Sequence, residues 1–64
     1  MIKISEIKEF VDETGTTFVK LDYGNKYEYK FSYVDSVTGD IIYDYCDTQQ
    51  LYDWNIVVAK IIRQ

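Results

Sequence analysis

The sequence predicts an α+β domain: an N-terminal helix packed on a four-stranded, mainly antiparallel β-meander. Three observations carry this. Tyr27 to Tyr33 alternates aromatic and polar at every step, the period at which a pleated strand sends side chains to opposite faces. Similar runs cover Thr17 to Tyr23, Asp40 to Cys46 and Trp54 to Arg63, all rich in β-branched or aromatic residues. Ile4, Ile7, Phe10 and Val11 instead recur at helical spacing. An all-β small barrel is the alternative, because the opening segment also reads as a strand.

For the opening helix, Ser5 is the expected N-cap, Glu6 and Glu9 lie in or near the first turn, and Gly15 is the stop. Read as a strand, Phe10-Val11-Asp12-Glu13-Thr14-Gly15 resembles Tyr33-Val34-Asp35-Ser36-Val37-Thr38-Gly39, and both would be hairpin bends. Helix is favoured because it gathers every apolar residue on one side.

In the central hairpin, Val19, Leu21 and Tyr23 share one parity, with Gly24-Asn25 between the two runs. A two-residue type II′ loop there would set Val19 opposite Lys30 and Leu21 opposite Glu28, mixing apolar and charged faces. An odd-length loop or a bulge is therefore expected, with Leu21 against Tyr27 or Tyr29 and on the same face as Phe31. After a turn over Asp35 to Gly39, the next strand is expected to pair Tyr33 with Ile41, Phe31 with Tyr43 and Tyr29 with Tyr45. Phe31 would anchor the core, and Asp44 would face the opposite side. Asp47 to Asp53 reads as a polar connection with one helical turn capped by Asp47. The final run, Trp54 to Arg63, is apolar on both parities and is expected to sit centrally or be covered on both sides.

With 64 residues, the chain makes one domain, residues 1–64, and a domain this short buries only about 60% of its unfolded surface. Net charge is −4, and the seven basic residues form no cluster. That argues against nucleic acid and acidic membranes as partners. The single cysteine, Cys46, allows no intrachain disulfide, which fits a reducing, cytoplasmic setting. The longest apolar run, Ile56 to Ala59, is too short to cross a bilayer, and the N-terminus has no apolar signal-peptide core.

The chemistry is sparse. There is no histidine, and Ser5, Ser32 and Ser36 have no base to activate them. Cys46 has no second cysteine or histidine with which to hold zinc. The three glycines are scattered among turns and form no phosphate loop. Asp40, Asp44 and Asp47 lack the spacing of a calcium loop and read as surface charge. No enzyme, cofactor or metal is expected.

Seven tyrosines are the unusual feature. Rings on a sheet can stack single-stranded bases, but such platforms carry a basic rim, and here the neighbours are Asp22, Glu28, Asp44 and Asp47. The expected function is a small acidic, non-catalytic protein-binding module. One form of it is an inhibitor occupying a basic or nucleic-acid-binding surface of a partner enzyme. Size, acidity and aromatic content are loosely similar to phage-encoded DNA-mimic inhibitors as a class. The expected contact residues are Asp44, Asp47, Tyr52, Asp53 and Trp54, since Tyr and Trp concentrate at interface hot spots and acidic groups steer toward a basic partner. The alternative is a structural or homo-oligomeric subunit with the aromatic face or an edge strand at its interface.

Overall fold

A computed structural model describes residues 3–64. Its strands are β1 (Glu9–Asp12), β2 (Thr17–Lys20), β3 (Tyr29–Val34), β4 (Ile41–Cys46) and β5 (Val58–Arg63), with a 3-10 turn at Ile4–Glu6 and one short helix, α1 (Thr48–Asp53). All five strands join one sheet in the order β4-β3-β2-β1-β5, with antiparallel neighbours throughout. The last strand thus returns beside the first. β4 and β5 are the two edges and do not pair with each other.

This corrects the expected N-terminal helix on a four-stranded sheet. The 3-10 turn contains Ser5 rather than being capped by it, and Lys3, which precedes it, makes no side-chain cap bond. Residues 9–12 are extended because they lie between β2 and β5 and are paired on both sides. A helix there would leave β5 without a neighbour, and the long-range ladders outweigh the weak local preference. Of the opening segment, Met1 and Ile2 lie outside the described residues.

Both hairpin registers also differ from expectation. Between β2 and β3 the ladder is regular, with Phe18 opposite Phe31, Val19 opposite Lys30 and Lys20 opposite Tyr29. Phe18 decides this, because it has the opposite parity to Val19 and Leu21 and carries the larger ring inward. The inner row runs Phe31, Phe18, Phe10, Ile61 across four strands. Between β3 and β4, Tyr29 faces Cys46, Phe31 faces Asp44 and Tyr33 faces Ile42, one residue away from the expected pairing. Tyr43 and Tyr45 therefore lie on the outer face with Ser32 and Lys30.

The turn between β3 and β4 sets that register. Asp35 Oδ1 accepts the Val37 and Thr38 amides at 2.8 and 3.0 Å, the Gly39 N–H donates to Asp35 O, and Gly39 takes φ 77°, which favours glycine. The Thr38 amide, and then that of Val37, holds the Asp35 carboxyl below its ordinary range by those same hydrogen bonds. The β1–β2 turn repeats the device: Asp12 Oδ1 accepts from the Thr14 and Thr16 amides at 3.0 and 2.9 Å and from Thr14 Oγ1 at 2.7 Å. Asp12 is buried, and these bonds offset the cost of taking its carboxylate out of water.

The core is Ile7, Phe10, Phe18, Tyr29, Cys46 and Leu51. Phe10 stacks on Phe18 with centroids 4.9 Å apart and meets Tyr29 edge-on at 6.0 Å. The Tyr29 hydroxyl donates toward the carbonyls of Ile4 and Ile7 at 3.0 and 2.8 Å, so one residue of β3 pins the N-terminal segment over the sheet. Phe31, the expected anchor, is only half-buried, packed at the margin of this cluster. β5 is mostly exposed rather than central.

Candidate protein-binding surface

The inner aromatic row does not end where the core ends. Phe31 touches Phe18 on one side at 5.6 Å, stacks on Tyr33 at 6.3 Å and meets the Trp54 ring edge-on at 5.7 Å. Tyr33 and Trp54 are 43% and 46% exposed, so a continuous line of rings passes from dry interior to open surface. A buried end holds such a shelf rigid, and an exposed end leaves apolar area for a partner.

Trp54 owes its position to a helix closed at both ends. At the N-terminus Asp47 Oδ1 accepts the Gln50 amide at 2.8 Å while Gln50 Oε1 accepts the Asp47 amide at 3.0 Å, a reciprocal capping box. At the C-terminus Asn55 enters the left-handed region at φ 55°, its N–H reaches Tyr52 O, and the Ile56 N–H reaches Leu51 O. That is a Schellman closure, and it drives Leu51 into the core with Ile56 packed beside it. The Glu28 carboxylate further ties α1 to the sheet by accepting the Thr48 amide at 3.0 Å, and that bond is the main reason its pKa lies below the ordinary value.

Of the five expected contact residues, the structure brings two to the shelf. Trp54 touches Phe31, and Asp44 is Phe31's direct cross-strand neighbour, with Cβ atoms about 5 Å apart by ladder geometry. Asp47 is occupied as a cap. Asp53 accepts from Gln49 Nε2 at 3.1 Å on the exposed side of α1. Tyr52 borders a separate groove with Ile4, Leu51 and Ile56. Phe31 and Tyr33 form the rest of the ring line, with Ile42 directly opposite Tyr33, and none of the three was among the expected contact residues. The signal for Tyr33 was present, since it shares the parity of Phe31, but placing Ile42 and Asp44 beside them required the true β3–β4 register.

The outer face carries a second set of rings. Tyr45 stacks on Tyr27 at 5.9 Å, and Lys30 Nζ lies 4.7 Å from the Tyr43 centroid, within cation–π range. Ile41, Tyr43 and Tyr45 are all exposed. Cys46, at the strand's end on the inner face opposite Tyr29, is fully buried. Burial, with Asp47, Asp44 and Glu28 nearby, pushes its thiol up to about 11, so it is protonated and unreactive at neutral pH. Among the described residues no cluster of three or more His, Cys, Asp or Glu side chains could hold a metal ion. No described helix is long and apolar enough to cross a membrane. Compared with protein-family models, curated proteins and solved structures, the chain has no match.

Proposed function

We propose that the protein is a small non-catalytic binding module that takes a basic protein segment on the shelf formed by Tyr33, Phe31 and Trp54, with Asp44 alongside. The observation that supports this is the unbroken ring contact from buried Phe18 through half-buried Phe31 to exposed Tyr33 and Trp54. Rigid aromatic side chains lose little conformational entropy on binding, and the net charge of −4 steers association toward a cationic surface. An inhibitor that imitates the phosphates of DNA draws less support, because many carboxylates are engaged locally. Asp12, Asp35 and Asp47 accept amides of their own turns, Glu28 accepts from Thr48, and Glu9 pairs with Arg63 at 2.9 Å.

The test is affinity capture from the source cell with the parent and with a Tyr33→Ser, Trp54→Ser double variant, after circular dichroism shows that both fold. The parent should retain a basic partner that the variant releases. Equal capture by both would move the binding surface elsewhere, and a stable homodimer that quenches Trp54 would replace a foreign partner with a second copy.

A further inference from the structure

The hydrogen-bonding pattern of β4 goes beyond a patch of rings. The Asp35 N–H donates to Asp40 O at 2.8 Å, while the Asp40 N–H turns to Thr38 Oγ1 at 3.2 Å, so Asp35 and Asp40 hold a hydrogen-bonded position of the antiparallel ladder with one of its two bonds formed. Such pairs alternate along a ladder, which makes Tyr33/Ile42, Phe31/Asp44 and Tyr29/Cys46 the next ones in this register. The amides of Ile42, Asp44 and Cys46 therefore point at β3, and those of Ile41, Tyr43 and Tyr45 point away from it. β4 is an edge strand. Of the three outward amides, Tyr45 N–H is taken by Asp44 Oδ1 at 2.8 Å, and those of Ile41 and Tyr43 have no acceptor among the described residues. Because the Tyr45 N–H points outward, the Asp44 carboxylate that receives it must lie on the open rim of the sheet.

We infer that this edge takes an extended segment of the partner protein as an added strand, with a basic side chain opposite Asp44 and apolar side chains beside Tyr43 and Tyr45. The inference rests on the protein-binding reading above and specifies its mode. Main-chain pairing supplies affinity in such additions, and alternate side chains supply specificity. On the inner side the incoming strand meets the Asp44 carboxylate. On the outer side it meets Tyr43, whose ring already has the Lys30 ammonium near it, so a second cation is disfavoured there and an apolar group favoured. Asp40 and Asp47 flank the two ends of β4 and extend the preference for a basic segment. A second copy is a poor occupant. Keeping outward amides opposite outward amides, the two longest antiparallel self-pairings centre on Tyr43 or on Asp44. They place the two Asp44 carboxylates diagonal to or directly opposite one another, where like charges repel, and each copy carries a charge of −4.

The test uses a synthetic eight-residue peptide of alternating valine and arginine, with blocked ends, against the full chain. Three proteins are compared: the parent, the same chain made by chemical synthesis with N-methyl-Tyr43, and Asp44→Asn. N-methylation removes one outward donor while leaving the β3 ladder and the tyrosine ring in place, and proline-like loss of an outward amide is tolerated at a sheet edge. The peptide should slow hydrogen exchange at Ile41 and Tyr43 at least tenfold. N-methyl-Tyr43 should bind at least tenfold more weakly, and Asp44→Asn should lower the salt dependence. Equal binding by the N-methyl protein, protection confined to other residues, or no binding would overturn the inference. So would peptide-free protection of Ile41 and Tyr43 that grows with protein concentration, since a second copy would then hold the edge. A natural partner that is lost on Trp54→Ser but retained by N-methyl-Tyr43 would sink strand addition and leave the binding module standing.

Discussion

Phe10, Phe18 and Phe31 line up across one face of the sheet, while Tyr27, Tyr43 and Tyr45 gather on the other. The inner rings touch one another, and α1 and the 3-10 turn supply Leu51, Ile4 and Ile7 to the same cluster. The outer rings are exposed, and their neighbours include Lys26, Lys30, the cross-strand Ser32 and each other. Chemistry explains the sorting. Phenylalanine has no polar atom to satisfy, whereas each outer tyrosine keeps its hydroxyl in water. Two tyrosines of β3 face inward instead: Tyr29, fully buried, has two backbone carbonyls for its hydroxyl, and Tyr33, stacked on Phe31, is 43% exposed. Aromatic content alone therefore does not tell core from contact surface; what each ring is packed against does.

That contrast can be broken by mutation. Phe18→Ala should have the largest effect, about 3 to 5 kcal/mol of stability lost and enough to unfold much of the population. Denaturant titration checks it, and a loss under about 1 kcal/mol would mean the inner row is not a core.

The next effect is alkaline. Burial, chiefly, pushes Tyr29 up to about 12 from an ordinary value of 10. Between those pH values the unfolded chain has released a proton that the folded chain still holds. Stability should then fall as pH rises from 10 to 12, by about 2 to 3 kcal/mol at 1.36 kcal/mol per unit. Cys46, raised to about 11 from 9, acts in the same direction from pH 9 upward. Tyr29→Phe should be less stable at neutral pH, having lost the hydroxyl proton shared between the Ile4 and Ile7 carbonyls, and should show a shallower alkaline decline. An equally steep decline in Tyr29→Phe would assign the alkaline loss to other groups.

Phe31→Ala sharpens the comparison at the boundary. A half-buried ring should cost roughly half as much as Phe18, about 1.5 to 2.5 kcal/mol, and the change should also shift Trp54 fluorescence, since the two rings are in contact. A cost equal to that of Phe18 would place Phe31 fully in the core and weaken its part in the shelf. Tyr43→Ala should be smallest, within about 0.5 kcal/mol by thermal melting. A larger loss would show that the outer rings bear on stability.

The sequence carried the strands more clearly than their registers. Tyr29 to Val34 and Ile41 to Cys46 are legible from alternation, and the Asp35 to Gly39 turn and the Asp47 cap from their residues, because these signals are local. Ile4, Ile7, Phe10 and Val11 fit a helical stripe and a 3-10 turn plus strand equally well, and pairing on both sides decides between them, with β2 and with β5, whose Arg63 lies 54 positions from Glu9. Register failed for a related reason. Val19 and Leu21 formed the more visible pattern, yet Phe18 on the other parity had the partners, Phe10 and Phe31, that reward burial. The candidate surface inherited that error: Trp54 and Asp44 were recognisable as residue types, but Phe31 links them only once Asp44, rather than Tyr43, is known to stand opposite it.

The return of β5 to the side of β1 has a consequence for the order of assembly. The Arg63 to Glu9 contact joins positions 54 apart, whereas β1 to β4 connect through neighbouring hairpins. Closing so long a loop costs entropy before any contact rewards it, so the four-stranded meander should form first and β5 dock last. During that interval the β1 backbone presents an unpaired edge next to Phe10, and strand-to-strand misassociation between chains is most dangerous there. The step that completes the sheet is therefore also the step that makes the chain safe from its neighbours, and dilution or slower synthesis should favour it over aggregation.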